Sequence, residues 1–335
     1  MPDAPFNDIP AEDIPADASV VTATRPGQGH FFADLDQTPV LGAVDAPNEE
    51  SAPASLWKDA WIQMRGRVLF WISAALMVLV ILVAVFPQWF SNVDPRFCDL
   101  SRSLGDPAPG HWFGFDFQGC DVYSRVIYGA RASVTVGVLT TIGVTVLGVI
   151  VGAIAGYNGG WLDSVLSRIT DIFFAIPLLL AAILVASVFS QSRTVFLISG
   201  VLAVFGWPQI ARIMRGAVFS VKNNEFIIAA RALGISSPRL VVRHVIPNSI
   251  APVIATATVA LGTFIVVEAT LSFLGVGLPP SVVSWGGDIS RAQQSIRTAP
   301  QLILYPGAAL GLTVLSFIMM GDVVRDALDP KARTR

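Results

Sequence analysis

KNNEFIIAARALGISSPRLVVRHVIPNSIAP, residues 222–252, is the stretch on which the fold turns. It is a polar, cationic insertion in an otherwise apolar chain, and helix signals divide it in two. Asn224 stands where it can cap a helix running through Phe226, Ala229, Ala230 and Leu233. Gly234 supplies the left-handed residue that ends that helix. Ser236 or Ser237 caps a second helix with Pro238 in its first turn. Leu240, Val241, Val245 and Ile246 continue the apolar side, Arg239 and Arg243 share a face at i, i+4, and Pro247 limits the helix. The stretch reads as a helix–turn–helix hairpin with Ala229, Ala230 and Ala232 exposed for a close partner.

The flanking sequence is membrane-like. The 335 residues are 53% hydrophobic and only 14% charged, with a mean hydropathy of +0.63; a soluble globular chain carries about 25% charged residues. A spanning helix needs about 20 mostly apolar residues. Such stretches fall near 68–89, 133–157, 171–190, 194–214, 250–269 and 302–323. They predict an all-α polytopic membrane bundle of about six transmembrane helices, with the hairpin in the loop 215–249 between the fourth and fifth. Ala54–Met64 reads as a short helix along the cytoplasmic surface. With the N-terminus inside, 14 Lys and Arg fall in inner segments and 7 in outer ones, leaving Arg25 aside. That asymmetry places both termini in the cytoplasm. The long loops 90–131 and 273–300 are then outside.

Residues 1–56 form a separate, acidic segment. Ten carboxylates lie in the first 50 positions against Arg25 alone, with no helical or strand period. Such a segment buries too little apolar surface to offset its ordering entropy, so it is expected to be a disordered cytoplasmic tail. It is either a docking segment or a solvated extension. It lacks the basic and apolar regions of a signal peptide. The membrane body is 57–330, and 331–335 make a short cytoplasmic end.

Several residues stand out within the body. Gly148, Gly152 and Gly156 lie on one face of the second span, suited to a close helix contact within the bundle or with a second subunit. Glu268, at membrane depth near the outer end of the fifth span, calls for a functional reading. It lines a translocation path, pairs with a charge on a partner subunit, or is a snorkelling or paired structural residue. Trp207 and Pro208 mark a bend in the fourth span, Trp207 being a further candidate for the translocation path or a subunit contact, and Pro177, Pro252 and Pro306 are candidates for bends in their own spans. Asp163, Arg168 and Asp171 read as helix-end charges with a local Asp–Arg pair. Cys98 and Cys120 share one outer loop, where an oxidising compartment permits a disulfide; two free thiols are the alternative. His244 beside Arg243 is read as a surface or interface residue rather than a proton carrier.

No catalytic site emerges. There is no G-x4-G-K-[ST] loop, no G-x-S-x-G elbow and no H-E-x-x-H, and the histidines are His30, His111 and His244 only. No metal site and no enzyme activity are expected, and no basic stripe suggests nucleic acid.

Ala229-Ala230, Gly234 and Ile246-Pro247 resemble the EAA loop of binding-protein-dependent ABC permeases, E-A-A-x3-G-x9-I-x-L-P. Ile228 stands in place of the leading Glu, His244 in place of Ile and Ile246 in place of Leu; Glu225, one turn earlier, is a substitute for the missing carboxylate. HWFGFD at 111–116, Gly119, Asp121 and Ser124-Arg125 are similar to the dipeptide/oligopeptide permease pattern, with Phe115 replacing Thr and Cys120 replacing Arg. EATLSFLGVG at 268–277, Ser284-Trp285-Gly286 and Gly321-Asp322 through Pro330 fit the same family, in its second permease subunit (the DppC/OppC type). The resemblance covers 57–330.

It implies a type I ABC importer permease-like bundle. Glu225, Ala229, Ala230, Arg231, Gly234, Arg239, Arg243, His244, Pro247 and Asn248 would form the ATPase-coupling loop. The implied partners are a homologous second permease subunit (the DppB/OppB type), two ABC ATPase subunits, an extracytoplasmic peptide-binding protein and membrane lipid. The chain would bind no cofactor itself, ATP and Mg²⁺ residing on the ATPases. Peptides are the implied cargo, with nickel or another small solute as the alternative. An ion-driven secondary transporter, the rival class, would require intramembrane acidic residues and inverted repeats, and a non-transporting scaffold would make the tail the working part.

Overall fold

The computed structural model describes residues 56–328, so the tail and the extreme C-terminus lie outside the described residues. Among the described residues there are helices and no strands; the pairing that exists is three isolated antiparallel bridges in one loop. Four single helices are long and apolar enough to cross a membrane: α2 (Val68–Val85), α3 (Val122–Asn158), α11 (Ala251–Phe273) and α13 (Gln301–Leu328). Two bent pairs bring the total to six when each is counted as one crossing. They are α4 (Gly160–Ala175) with α5 (Leu178–Val188), bent by 77°, and α6 (Val195–Gly206) with α7 (Pro208–Val221), bent by 47°. Outside them lie α1 (Leu56–Arg65), the hairpin helices α8 (Glu225–Ala232), α9 (Ser237–Leu240) and α10 (Ile246–Ser249), and α12 (Trp285–Ala292).

The prolines explain the two bends differently. Ile176, ahead of Pro177, is extended at ψ 119°, as a residue before proline prefers, and the helix stops there. Pro208 occupies the first turn of α7, where its missing N–H costs nothing. Pro252 likewise sits in the first turn of α11, whereas Pro306 lies inside the unbroken α13.

The second span differs from the sequence reading at its start. α3 begins at Val122 rather than near Ser133 because polar residues in its first turns depress the apolar signal. Asp121 caps it, its carboxylate accepting from Ser124 N at 2.6 Å, and Asp121 is held in turn by His111 Nδ1 at 2.6 Å. Gly159, at φ +67°, then reverses the chain into α4, a conformation that favours glycine.

α3 packs along α6, α7 and α11, and α13 along α2 and α11. The largest buried cluster joins Val144 and Ala153 of α3, Ile210, Met214 and Val218 of α7 and Phe264 of α11, and it extends into the hairpin through Ile227, Leu240 and Val245. Between α2 and α3, Cys98 and Cys120 are bonded, and Cys120 is fully buried. The hydrogen-bonded loop they close stands at the α3 N-terminus, opposite the hairpin. From Arg125 to Gly156 α3 rises roughly 46 Å at 1.5 Å per residue, more than the roughly 30 Å hydrocarbon core. The loop and the hairpin therefore occupy opposite membrane faces.

Candidate functional site

The hairpin grows directly out of α7. Lys222, at the end of α7, donates through Nζ to Gly156 O at 2.6 Å and Tyr157 O at 3.3 Å. A cation on the last carbonyls of α3 complements the negative end of that helix. Arg231 reaches the hydroxyl of Tyr157 at 3.4 Å and its ring at 5.8 Å. The entry to the hairpin and its first arm are thus tied to the end of one long span.

Within the hairpin, Ile227, Leu240 and Val245 are completely buried. Gly234 takes φ +83° between the arms, in the left-handed region that glycine enters without strain. The second arm does not end at Pro247. Val241–Val245 form a π turn, Ile246 N donates to Val241 O five residues back, and α10 carries Pro247 in its first turn. The wider turn accommodates a proline that has no N–H to give and whose ring would strike a normal α turn. Asn224 and Ser236 occupy the cap positions without side-chain cap bonds.

The faces of α8 agree with the sequence reading except at Ala230. Ala229 and Ala232 are exposed as expected, but Ala230 is half-buried against the core, which Ile227 enters. Leu233 is 84% exposed, and Phe226, Ile228, Ala229 and Val242 join it on the outside. A run of apolar side chains at the surface of a polar loop marks an interaction face. Around it Glu225, Arg231, Arg239, Arg243, Pro247 and Asn248 are exposed and His244 is half-buried.

The glycine seam lies inside the chain, not against another subunit. A Cβ on Gly148 would lie 2.6 Å from Ile210 Cβ, on Gly152 2.4 Å from Ala211 O, and on Gly156 2.7 Å from Arg215 O. These contacts press α3 onto α7, the helix that feeds the hairpin. α7 is also tied to α4: Arg215 donates to both carboxylate oxygens of Asp163 at 2.5 and 2.7 Å, and Arg212 to Asp171 at 2.7 Å. The local pairing with Arg168 is replaced by these cross-helix pairs, and Arg168 is exposed.

Trp207 and Glu268 are internal as well. Trp207 is buried at the α6–α7 break, its ring 5.5 Å from that of Phe173. Glu268 is fully buried, accepting from Ser272 Oγ at 2.8 Å. Neither is available to line a path or meet a partner in this state, because their turns are covered by the chain itself. Gly286 lies against the turn that follows Glu268, so close that a Cβ there would sit 2.5 Å from Ala269 Cα.

The sequence reading gave no role to the buried charges at the opposite face. Arg125 of α3 donates to Asp288 of α12 through Nη2 at 2.5 Å and Nε at 3.1 Å, and to Pro95 O at 3.0 Å. Arg291 also donates to Asp288. Burial raises the Asp288 carboxyl to about 6 despite the opposing pull of Arg125. The partners are 163 positions apart, and no local spacing announces such a pair.

Comparison with known proteins agrees with this architecture. Residues 148–334 match the family described as binding-protein-dependent transport system inner membrane component, and residues 55–107 match the N-terminal TM domain of oligopeptide transport permease C. The dipeptide transport system permease protein DppC of Alkalihalophilus pseudofirmus is 37% identical over 86% of this chain and 94% of its own. The oligopeptide transport system permease protein OppC of Bacillus subtilis is 37% identical over 87% and 95%. The glutathione transport system permease protein GsiD of Escherichia coli is 35% identical over 83% and 91%. With a family match over more than half its length and relatives aligned nearly end to end, the chain belongs to the inner-membrane permease family of binding-protein-dependent ABC importers.

Proposed function

We propose that this permease subunit translocates peptides and that its hairpin is where an ATPase subunit engages it. As a member of its family it is a multi-pass inner-membrane protein and the non-enzymatic part of a complex with other permease and ATPase subunits. The peptide cargo is supported by the dipeptide and oligopeptide permeases it resembles over most of its length. The finer assembly has one homologous permease partner, two ATPases that hold ATP and Mg²⁺, and an extracytoplasmic binding protein that delivers peptide. Both termini face the cytoplasm in this arrangement, in line with the Lys and Arg asymmetry.

One observation carries the coupling assignment: the hairpin is anchored in the main core by Ile227, Leu240 and Val245 yet leaves Phe226, Ala229 and Leu233 uncovered. A rigid root and an apolar tip suit a part that receives force at one end and delivers it at the other. Nucleotide-driven closure of the ATPases would move the tip, and the glycine seam would carry the motion into α3. Each nucleotide state must favour one arrangement energetically for this to work.

Co-purification with the ATPase subunits tests the assignment. Leu233→Glu places a charge on the exposed tip and leaves the root intact, so it should insert normally, lose the ATPases and abolish peptide uptake. Retention of the ATPases at the wild-type level would refute the docking role.

A further inference from the structure

The end of the bundle opposite the hairpin holds a groove that the coupling assignment does not use. It measures about 520 Å³ and is lined by Asp94, Arg96, Tyr128, Thr135, Phe196 and Val282 among others. A second hollow of about 430 Å³ shares Arg96, Val282 and Val283 with it, so the two are contiguous. Volumes of this order, with apolar walls and a few convergent polar groups, are those of small-ligand sites.

Asp94 and Arg96 are exposed in the groove. Among the described residues, neither Asp94 nor Arg96 belongs to an ion pair, although they are two positions apart and carry opposite charges. Asp94 Oδ1 accepts only from the backbone N of Arg96, at 2.9 Å. Arg131, also in the lining, is engaged with Ala84 O and Val85 O at 3.1 and 2.9 Å and so caps α2.

The segment bearing the two charges is held in place. Tyr123 donates to Phe90 O at 3.1 Å, Tyr128 to Ser91 O at 3.3 Å, Ser124 to Val93 O at 2.5 Å and Arg125 to Pro95 O at 3.0 Å. The Cys98–Cys120 bond fixes its far end. Four side chains of α3 therefore pin the backbone on both sides of Asp94 while Asp94 Oδ2 and the Arg96 guanidinium stay uncommitted. A backbone held in place lowers the ordering cost of binding to that of the two side chains.

From this arrangement we infer that the groove is a subsite for a short zwitterionic peptide, its free carboxylate on Arg96 and its free ammonium on Asp94. A guanidinium takes a carboxylate in a two-pronged contact, and Phe196 and Val282 offer apolar wall to the side chains. The groove would then be the first contact of released cargo with this subunit. The inference rests on the peptide reading above and adds the chemistry that this chain recognises.

The test uses the whole permease–ATPase complex in nanodiscs, without binding protein, and equilibrium binding of radiolabelled trialanine. Its C-amide and its N-acetyl derivative should each bind the wild type about tenfold more weakly, because each leaves a charged partner unmet. Arg96→Gln should lose about tenfold for trialanine and cease to distinguish the amide. Asp94→Asn should cease to distinguish the N-acetyl form. The comparison of ligands on the wild type requires no variant to fold. Equal binding of all three ligands, absence of saturable binding, or variants that keep the discrimination would overturn the subsite. Uptake by the same complex supplied with binding protein separates the two readings. Peptide uptake with no terminal discrimination in the groove removes the subsite alone, whereas no peptide uptake removes the cargo reading and the subsite with it.

Discussion

Gly152→Ala offers the sharpest test of the packing. The new Cβ would lie 2.4 Å from Ala211 O, 2.8 Å from Met214 Cβ and 3.0 Å from Arg215 N. Ordinary contact begins near 3.4 Å, so α3 and α7 must part by about 1 Å at this point. Overpacking a tight interior costs about 1–3 kcal/mol, and the upper end applies because two of the three obstacles are backbone atoms. Alanine recovers about 1 kcal/mol of helix propensity. The net loss is about 2 kcal/mol, which for a chain of 335 residues lowers the melting temperature by about 3 °C. Gly200→Ala is the control. It lies in α6 with nothing within 4 Å of the added carbon, so it should be neutral or raise the melting temperature slightly. Fluorescence-monitored melting of the two purified variants beside the wild type decides the matter. If Gly152→Ala melts with Gly200→Ala, the seam is not the tight contact described and the link between hairpin and α3 fails with it.

Other outcomes follow from the loop, α12 and the hairpin. Serine replacement of Cys98 or Cys120 removes a cross-link spanning 22 positions, for a loss of roughly 3 kcal/mol in the loop-entropy account; tryptic cleavage after the exposed Arg102 should accelerate. Asp288 has a folded pKa of about 6, above its ordinary value of 3.8. The folded state therefore holds the proton more tightly, and the Asp288 contribution to stability should fall as pH rises from about 4 to 6 and level off above. The difference in melting temperature between wild type and Asp288→Asn across that range measures it, and a flat difference would contradict the burial described. Gly234→Val puts a β-branched side chain at φ +83°, at a cost of order 1–3 kcal/mol. Proteolysis should open the hairpin while the spans stay protected.

The apolar crossings are legible in the sequence because lipid demands a run of about 20 apolar residues whatever the tertiary structure. Their ends are less so. The first turns of α3 carry Arg125, Tyr128 and Arg131, whose partners lie in other segments, so composition hides a helix that Asp121 starts. The hairpin is readable from Asn224, Gly234 and Pro238, which act locally. Which side of α8 faces inward is not, because Phe226, Ile227, Ile228 and Leu233 are all apolar and only the neighbouring core selects Ile227. The reach of Gly148, Gly152 and Gly156 is likewise set by α7, far away in sequence, and spacing alone could not tell a neighbour in the same chain from a second subunit. Asp94 and Arg96 drew no notice for the same reason: their significance lies in what fails to pair with them.

The π turn at Val241–Val245 has a mechanical consequence. The junction residues Val241, Ile246 and Ile250 all keep right-handed helical backbone angles. From Ser237 to Phe273 only Ile250 falls outside a helix, so no loop separates the hairpin from the stretch beside Glu268 and Gly286. A connection without a loose joint yields less to a push than a loop does. By letting Pro247 into the helix instead of ending it, the wide turn joins the second arm of the hairpin to the fifth span without a flexible linker.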